Sequence, residues 1–334
     1  MSTSRSVSTL GFLLALGSAA SFALSGIFAS ALMESGWTAG AAVTARISFA
    51  ALALLAPTIF MLRESWGLVK RAWSSILLFG VLAVAGCQLA FFLAVQFIPP
   101  SLALLIEFMG PVLLMLWSWA RSRVSPGFIT LLGAALAVLG LVATSGSVLG
   151  SGLHPLGIFF ALIAAVGNAT YFAAGARADH GIAPLPFVGL GLTVGAVILA
   201  IVSALGLLPF AVSSAPGRIA GVPLDPWLLV IGMVLISTVL SYLLGVAAAR
   251  RLGATVASFT GYSEPLFGII WTILLLSVLP TDMQWLGAAL IIAGVVTVKV
   301  GELRESRRAS RDVPEADASE ALSNAPSDDD SARL

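Results

Sequence analysis

The stretch Leu132–Leu136, which reads LGAAL, returns unchanged as Leu286–Leu290, 154 residues further along the chain. Identities of Leu, Ala and Gly arise easily by chance in an apolar chain, whereas repeated prolines and tryptophans in one ungapped register do not. The sequence is therefore interpreted as a duplicated unit. Further identities in this register are Pro111 with Pro265, Trp117 with Trp271, Pro126 with Pro280 and Gly140 with Gly294.

The composition places this duplication in a membrane. Of 334 residues, 59% are hydrophobic and 10% are charged, whereas about a quarter of the residues in a soluble domain are charged. Apolar runs of about 20 residues, long enough to cross a bilayer as helices, recur along the chain. Ten spans are predicted, at residues 10–33, 39–62, 74–95, 100–119, 126–145, 156–176, 184–209, 226–248, 254–278 and 281–300.

The predicted fold is an all-α polytopic membrane protein made of two five-helix repeats, residues 10–145 and residues 156–300. Because five is odd, consecutive copies enter the membrane from opposite sides, so the repeats are expected to be inverted. Inverted repeats are a recurring architecture of secondary transporters. Residues 301–334 are rich in Arg, Ser, Ala, Glu and Asp and are predicted to form a disordered cytoplasmic tail.

The distribution of basic residues predicts the orientation. With loops assigned alternately to the two sides, one side carries nearly all the arginines and lysines, while the other carries only Arg218. By the positive-inside rule, the protein is expected to be multi-pass in the cytoplasmic membrane with both termini in the cytoplasm.

Three ionisable side chains lie well inside the predicted spans: Arg46, Glu107 and Glu264. Each costs about 2.5 to 3.5 kcal/mol at a helix centre, so none is expected to face lipid. Arg46 and Glu107 lie at similar predicted depths, so they either form a buried ion pair or line a site. Together the three groups carry a formal charge of −1, to be met by a substrate, a proton or a cation.

Two prolines mark helix breaks near these carboxylates. Pro111 leaves the carbonyl of Glu107 without its helical donor, and Pro265 does the same for Gly261, the equivalent position in the second repeat. Interrupted helices at corresponding positions indicate a transporter site. Four uncharged side chains are further candidates for its lining, with interhelical hydrogen bonds as the alternative role: Gln88, Asn168, Tyr171 and Tyr242.

The chain resembles the drug/metabolite transporter superfamily, specifically its EamA-type members with two five-helix repeats. Ile106–Pro111, which reads IEFMGP, resembles a Glu-Phe-x-Gly-Pro segment of the threonine and homoserine exporter group, and Glu264 with Pro265 resembles that group's second-half signature. Arg46 lies where such proteins often carry an arginine in helix two. The resemblance implies export of amino acids or similar metabolites.

The predicted function is a secondary active transporter that exports small metabolites by alternating access. A multidrug or lipophilic-cation exporter on the same scaffold, or a passive channel, remains an alternative. An enzyme is not expected, because His154 and His180 lie in loops on opposite sides and no hydrolase, zinc-protease or Walker motif occurs. No catalytic residue, metal, cofactor or nucleic acid is expected; the expected partners are a small-molecule substrate, membrane lipid and a coupling proton, with homodimer formation left open.

Overall fold

The computed structural model describes residues 2–123, 125–144, 154–277 and 279–311. These residues fold into helices joined by short turns, with one two-stranded hairpin. The first half contains α1 (Ser2–Glu34), α2 (Ala39–Leu62), α3 (Trp66–Leu78), α4 (Cys87–Ala94), α5 (Pro100–Glu107), α6 (Gly110–Ser122) and α7 (Phe128–Thr144). The second half contains α8 (Pro155–Ala176), α9 (Pro184–Ala204), α10 (Pro226–Val234), α11 (Ser241–Leu252), α12 (Ala254–Gly261), α13 (Glu264–Leu276) and α14 (Asp282–Arg311).

Several of these helices follow one another without a loop and form one continuous helical segment, here called a rod. The third rod of each half contains a π-helical segment. Phe79–Gly86 joins α3 to α4, and Leu235–Leu240 joins α10 to α11. The second segment begins and ends 154 residues after positions 81 and 86, so it repeats the last part of the first. Such π-turns in long helices are frequently found at functional sites.

The fourth rod of each half is broken at the same position of the repeat. α5 ends at Glu107 and α6 begins at Gly110, while α12 ends at Gly261 and α13 begins at Glu264, again 154 residues apart. In each case a proline is the second residue of the new helix, where its missing N–H costs no helical hydrogen bond. Both α6 and α13 end at a left-handed residue, Arg123 in one half and Ser277 in the other.

Equivalent helices of the two halves pack against each other in antiparallel directions. A Cβ atom at Gly133 of α7 would lie 2.5 Å from the amide nitrogen of Val298 in α14, and one at Gly140 would lie 2.7 Å from the carbonyl oxygen of Gly287. The contacts thus run backwards along α14 as they run forwards along α7. Glycines at these positions let the two backbones approach closely.

The α2–α9 pair has the same antiparallel arrangement. The hydroxyls of Thr44 and Ser203 lie 3.0 Å apart near one end of the pair, and Thr58 packs against Gly189 near the other. The first helix of each half makes corresponding contacts with the other half, because α1 packs on α11, α12 and α13 as α8 packs on α4, α5 and α6. The helices α1 and α8 therefore hold equivalent central positions.

A hairpin closes one end of the bundle. Strands β1 (Gly217–Ile219) and β2 (Val222–Leu224) pair antiparallel in the connection between α9 and α10. This connection is tied to the α1–α2 turn, because Trp37 Nε1 donates to the carbonyl of Ser213 at 2.8 Å and Thr38 Oγ1 donates to that of Pro209 at 2.8 Å.

The helices confirm an all-helical polytopic membrane fold, with differences at the predicted boundaries. Eight helical segments of the described chain are long and apolar enough to cross a bilayer; the predicted spans 126–145 and 254–278 correspond to the shorter α7 and to the broken α12–α13 pair. The third rod begins at Trp66 rather than at residue 74, because the polar turn containing Lys70 and Arg71 is also helical.

The C-terminal boundary differs as well. α14 continues to Arg311, past residue 301, where the disordered tail was predicted to start. The reason is that residues 302–311 contain no proline or glycine and are mostly good helix formers. The rest of the predicted tail, residues 312–334, lies outside the described residues.

Candidate functional site

A cavity of about 450 Å³ lies in the middle of the helix bundle, between α1, α2, α4, α5, α8, α11, α12 and α13. Every side chain proposed from the sequence as substrate- or proton-binding lines it, although the residues come from six different helices. Pro265 also reaches the cavity, whereas Pro111 is buried at the start of α6. The seven side chains are Arg46, Gln88, Glu107, Asn168, Tyr171, Tyr242 and Glu264.

Arg46 of α2 enters the cavity with only 6% of its surface exposed. Its Nη1 donates to the hydroxyl of Ser25 on α1 at 3.0 Å, and its Nε has no hydrogen-bond partner among the described residues. A buried guanidinium with a vacant donor is well suited to bind a planar anion such as a carboxylate.

The buried ion pair between Arg46 and Glu107, one of the two alternatives from the sequence, is not present. Among the described residues, ion pairs join only Arg63 with Glu64 and Arg177 with Asp179. Arg46 instead donates a hydrogen bond to Ser25 of α1, and Glu107 accepts one from Cys87 of α4, while both residues line the cavity.

Glu107 is the last residue of α5, and its Oε1 accepts a hydrogen bond from Sγ of Cys87 at 3.3 Å. The same sulfur lies 3.5 Å from the carbonyl oxygen of Ala164, a second acceptor. Cys87 therefore fixes the position of the Glu107 carboxylate from the neighbouring helix.

Glu264 is the first residue of α13, directly after the break in the fourth rod. Its side chain lines the same cavity as those of Arg46 and Glu107. The three ionisable groups thus surround one cavity, and among the described residues none of them forms an ion pair with another.

The polar lining is set by close approaches to glycine. A Cβ atom at Gly245 of α11 would overlap the hydroxyl of Tyr171, and one at Gly110 would lie 2.5 Å from Oδ1 of Asn168. That Oδ1 has no hydrogen-bond partner among the described residues. The rings of Tyr171 and Tyr242 meet edge to face with centroids 5.4 Å apart.

Several lining residues were not identified from the sequence. Ser18 and Ser25 share one face of α1, where small polar residues are typical of close helix packing, and an isolated cysteine such as Cys87 carries no sequence pattern that indicates a site. The structure places them in the lining, where Ser18 donates to the carbonyl of Ser241 at 2.8 Å. Their spacing of seven residues on α1 could have indicated a polar stripe. Four phenylalanines also line the cavity: Phe22, Phe91, Phe108 and Phe172.

No cluster of three or more His, Cys, Asp or Glu side chains that could hold a metal ion is found in the part of the chain that the structure describes. The lining offers instead one guanidinium, two carboxylates, several hydroxyl and amide groups, and aromatic rings. Such a mixture can bind a small organic molecule that carries charged groups and an apolar part.

The sequence model of the EamA-like transporter family matches this chain twice, at residues 9–146 and again at residues 155–300. The chain belongs to the EamA-like transporter family. Its two matched segments cover the two halves described above, and each contains one broken fourth rod. The family identifies the molecule as a transporter.

Two further proteins are similar to this EamA-family chain. One is the "Uncharacterized inner membrane transporter YicL" of Salmonella typhimurium, which is 26% identical over 304 residues, covering 90% of this chain and 98% of that protein. The other is a protein of known crystal structure, with a TM-score of 0.68 at 18% identity, covering 88% of this chain and 98% of that one. The latter shows that the fold is shared.

Proposed function

We propose that this EamA-family protein is a secondary active transporter that exports small metabolites, namely amino acids or their derivatives, by alternating access. The observation that carries this proposal is a cavity that is lined both by Arg46 and by two carboxylates that form no ion pair with it. An amino acid carries both a carboxylate and an ammonium group, so it complements both signs of charge. In this arrangement Arg46 binds the substrate carboxylate and Glu264 binds its ammonium.

The scaffold that supports this mechanism is ten membrane spans in two inverted repeats. Antiparallel packing of α2 with α9 and of α7 with α14 supports the inversion, since equivalent helices of inverted repeats run in opposite directions. A site between inverted repeats can be exposed to either side by rocking one repeat against the other. The motif resemblance of residues 106–111 to the threonine and homoserine exporter group supports the substrate class.

A lipophilic-cation exporter is the second candidate. Two carboxylates against one guanidinium leave an excess negative charge, and the aromatic lining can bind a cation through ring faces. Arg46 counts against this candidate, because an unpaired guanidinium repels a cation in the same cavity.

The test is counterflow of radiolabelled amino acids in proteoliposomes containing the purified protein. Exchange stimulated by unlabelled substrate on the opposite side, and abolished in Arg46→Gln and Glu264→Gln, is the expected result. Glu64→Gln is the matched control, because the Glu64 side chain is 82% exposed outside the cavity.

Three other outcomes contradict the proposal. Exchange inhibited by organic cations but by no amino acid supports the second candidate. Flux without trans-stimulation indicates a passive channel. Normal exchange in both variants would contradict the assignment of Arg46 and Glu264 to the substrate site.

A further inference from the structure

The helices α8 and α11 stay together at the end of the bundle opposite the hairpin. In the cavity wall the hydroxyl of Tyr171 lies against Gly245, and one turn further along α8 an added Cβ at Gly175 would lie 3.3 Å from Cγ2 of Val246. The two helices are thus in contact from the cavity to their last turns, and this contact closes the cavity at that end.

The equivalent helices of the first half are separated. Under the repeat, α1 corresponds to α8 and α4 corresponds to α11, but α1 and α4 make no extended contact. Gly26 of α1 and Leu104 of α5 line the cavity and are both exposed, so the cavity opens towards the hairpin. In a carrier built from inverted repeats, the other state is expected to exchange the arrangements of the two halves. The α8–α11 contact is therefore the one that has to open.

Arg250, in the last turn of α11, holds this contact closed. Its Nε donates to the carbonyl oxygen of Gly175 at 3.3 Å, and its Nη1 donates to that of Ile182 in the turn between α8 and α9. One guanidinium thus joins α11 to the end of α8 and to the following turn. It lies directly behind the cavity, because Ala248, two residues earlier, is part of the cavity lining.

His180 holds the same turn through the other main-chain group of Ile182. Its Nδ1 accepts a hydrogen bond from the amide nitrogen of Ile182 at 3.3 Å. His180 and Arg250 also share the ring of Phe187 on α9: the imidazole stacks on it with centroids 5.7 Å apart, and Cζ of Arg250 lies 5.4 Å from its centroid. These four residues, His180, Ile182, Phe187 and Arg250, are here called the latch.

The latch requires a neutral imidazole. Nδ1 can accept a hydrogen bond only while it carries no proton, and in the imidazolium both ring nitrogens are donors. A proton on His180 therefore removes its bond to Ile182 and adds a second positive charge to a cluster that already contains Arg250. The closed latch also leaves Nε2 of His180 and Nη2 of Arg250 buried without a partner among the described residues, which limits its stability.

The surroundings of His180 favour its neutral form. Burial lowers the pKa of the imidazole, and Arg250 lowers it further. Within the turn, Asp179 raises this pKa and Arg177 lowers it, and these two side chains pair with each other at 3.8 Å on the surface. The neighbouring helices α3 and α9 face the turn with apolar side chains, Leu68 and Phe187.

The lowered pKa of His180 makes acid favour the open latch. A solvated imidazole has a pKa of about 6.5, and the pKa in the closed latch is lower, so a proton binds more tightly to the open form. The closed latch therefore keeps its full stability at higher pH and loses it progressively as the pH falls below about 6.5.

We propose that the latch is a gate that closes the cavity at this end, and that a proton on His180 opens it. This inference rests on the alternating access of the proposed function and deepens it, because it names the control of access to the same cavity. In the orientation expected from the sequence this end faces the cytoplasm. Acidification of the cytoplasm then speeds the return of the cavity to the side where substrate is loaded.

Labelling of a cysteine in the cavity measures opening of the gate without any substrate. In a Cys87→Ser background, Gly268→Cys places one thiol in the cavity lining, where an added Cβ meets no atom within 4 Å. This reporter protein is treated with an impermeant methanethiosulfonate reagent in sealed vesicles of both orientations. Arg177→Cys, exposed beside the latch, identifies the vesicles that present the latch end. We expect slow labelling of the reporter from the latch end and fast labelling from the hairpin end.

Arg250→Gln in the reporter protein tests the gate. Loss of the charged donor should raise labelling from the latch end about tenfold and slow labelling from the hairpin end, because the two ends open alternately. Arg251→Gln is the matched control, since Nη1 of Arg251 bonds to the carbonyl of Ala247 in its own helix. Equal rates in the two variants would overturn the gate. Faster labelling from both ends would indicate a lost fold, and the pH dependence of the native latch then decides.

His180→Asn tests the role of the proton. The asparagine keeps an oxygen acceptor for the amide of Ile182 but does not titrate, so its latch should stay closed in acid. Between neutral pH and about pH 5, labelling of the reporter from the latch end should rise relative to His180→Asn by up to about tenfold per pH unit. The ratio of the two rates cancels the titration of the thiol itself. A ratio that does not change with pH would overturn the role of His180.

These results separate the latch from the proposed function. Labelling that follows the latch variants, in a protein that exchanges no amino acid, would contradict the substrate class and leave the gate in place. Normal amino-acid exchange, together with equal labelling of Arg250→Gln and Arg251→Gln, would contradict the latch alone.

Discussion

Tyr171 has its place in the cavity because the residue opposite it has no side chain. The hydroxyl of Tyr171 occupies the place that a Cβ atom at Gly245 would take, and the hydroxyl of Ser18 lies 2.8 Å from the same position. A methyl group there would have to displace a helix or push the ring of Tyr171 into the cavity. The width of the cavity between α8 and α11 thus depends on the absence of a side chain at Gly245.

Gly245→Ala is therefore predicted to impair transport. The added methyl overlaps Tyr171, so we expect a loss of about 1 to 3 kcal/mol in the free energy of unfolding, as for other overpacked sites, and reduced counterflow. Thermal unfolding in detergent and exchange in proteoliposomes measure the two effects. Gly26→Ala and Gly268→Ala are matched controls, because both glycines line the cavity with no atom within 4 Å of an added Cβ. An unaffected Gly245→Ala protein would contradict the prediction.

The sequence alone was sufficient to identify the residues that cost most free energy in a membrane. Arg46, Glu107 and Glu264 stand out because a charge inside an apolar span needs a partner or a cavity. Ser18 and Cys87 do not stand out, because small weakly polar residues are common in packed membrane helices. Which partner Arg46 selects also depends on the distance between helices, and sequence spacing does not contain that distance.

At the scale of elements, the packed pair α7–α14, here called the seam, is a close approach between the halves that glycine makes possible. Gly133 and Gly294 each face the backbone of the opposite helix, with an added Cβ 2.5 Å from a backbone nitrogen. No flexible side chain can move aside to accept a larger residue there. The seam therefore has less tolerance for substitution than the lipid-facing surfaces of the same helices.

Gly133→Val and Gly294→Val are each predicted to separate α7 from α14. We expect a destabilisation of at least about 1 to 3 kcal/mol and a larger fraction of aggregated protein in size-exclusion chromatography. The control is Gly67→Val in α3, where an added Cβ meets no atom within 4 Å. Two seam variants that behave like the control would show that the helices can separate without cost.

The elements were predicted to different extents. Pro111 and Pro265 marked both breaks of the fourth rods, because proline has the same effect on any helix. The π-helical segments Phe79–Gly86 and Leu235–Leu240 were not predicted. No residue type in them specifically favours the i to i+5 hydrogen bonds of a π-helix over those of an α-helix. They depend on packing: the ring of Phe79, for example, contacts Phe187 with centroids 5.0 Å apart.

At the scale of the whole molecule, basic residues are concentrated at one end of the bundle. Arg121 ends α6, Arg177 follows α8, and Arg250 and Arg251 end α11, while Arg218 lies in the hairpin at the other end. Applied to these positions, the positive-inside rule favours cytoplasmic termini and an external hairpin.

Site-directed labelling in intact cells tests this orientation. In a Cys87→Ser background, an impermeant thiol reagent should label Arg218→Cys from outside and label Arg177→Cys only after permeabilisation. Both positions are exposed, so access to the aqueous side alone decides the result. The opposite labelling pattern would show that the protein has the inverted orientation in the membrane. Equal labelling of both positions in intact cells would contradict the assignment of the membrane spans.

The seam also accounts for the repeated stretch LGAAL at residues 132–136 and 286–290. Because α7 and α14 are copies that pack on each other, the same surface meets itself, as in a symmetric dimer. A larger residue acquired by one copy collides with the other copy, so neither can change alone. At Gly133 and Gly294, where an added side chain would meet backbone, each copy is the template that the other must match.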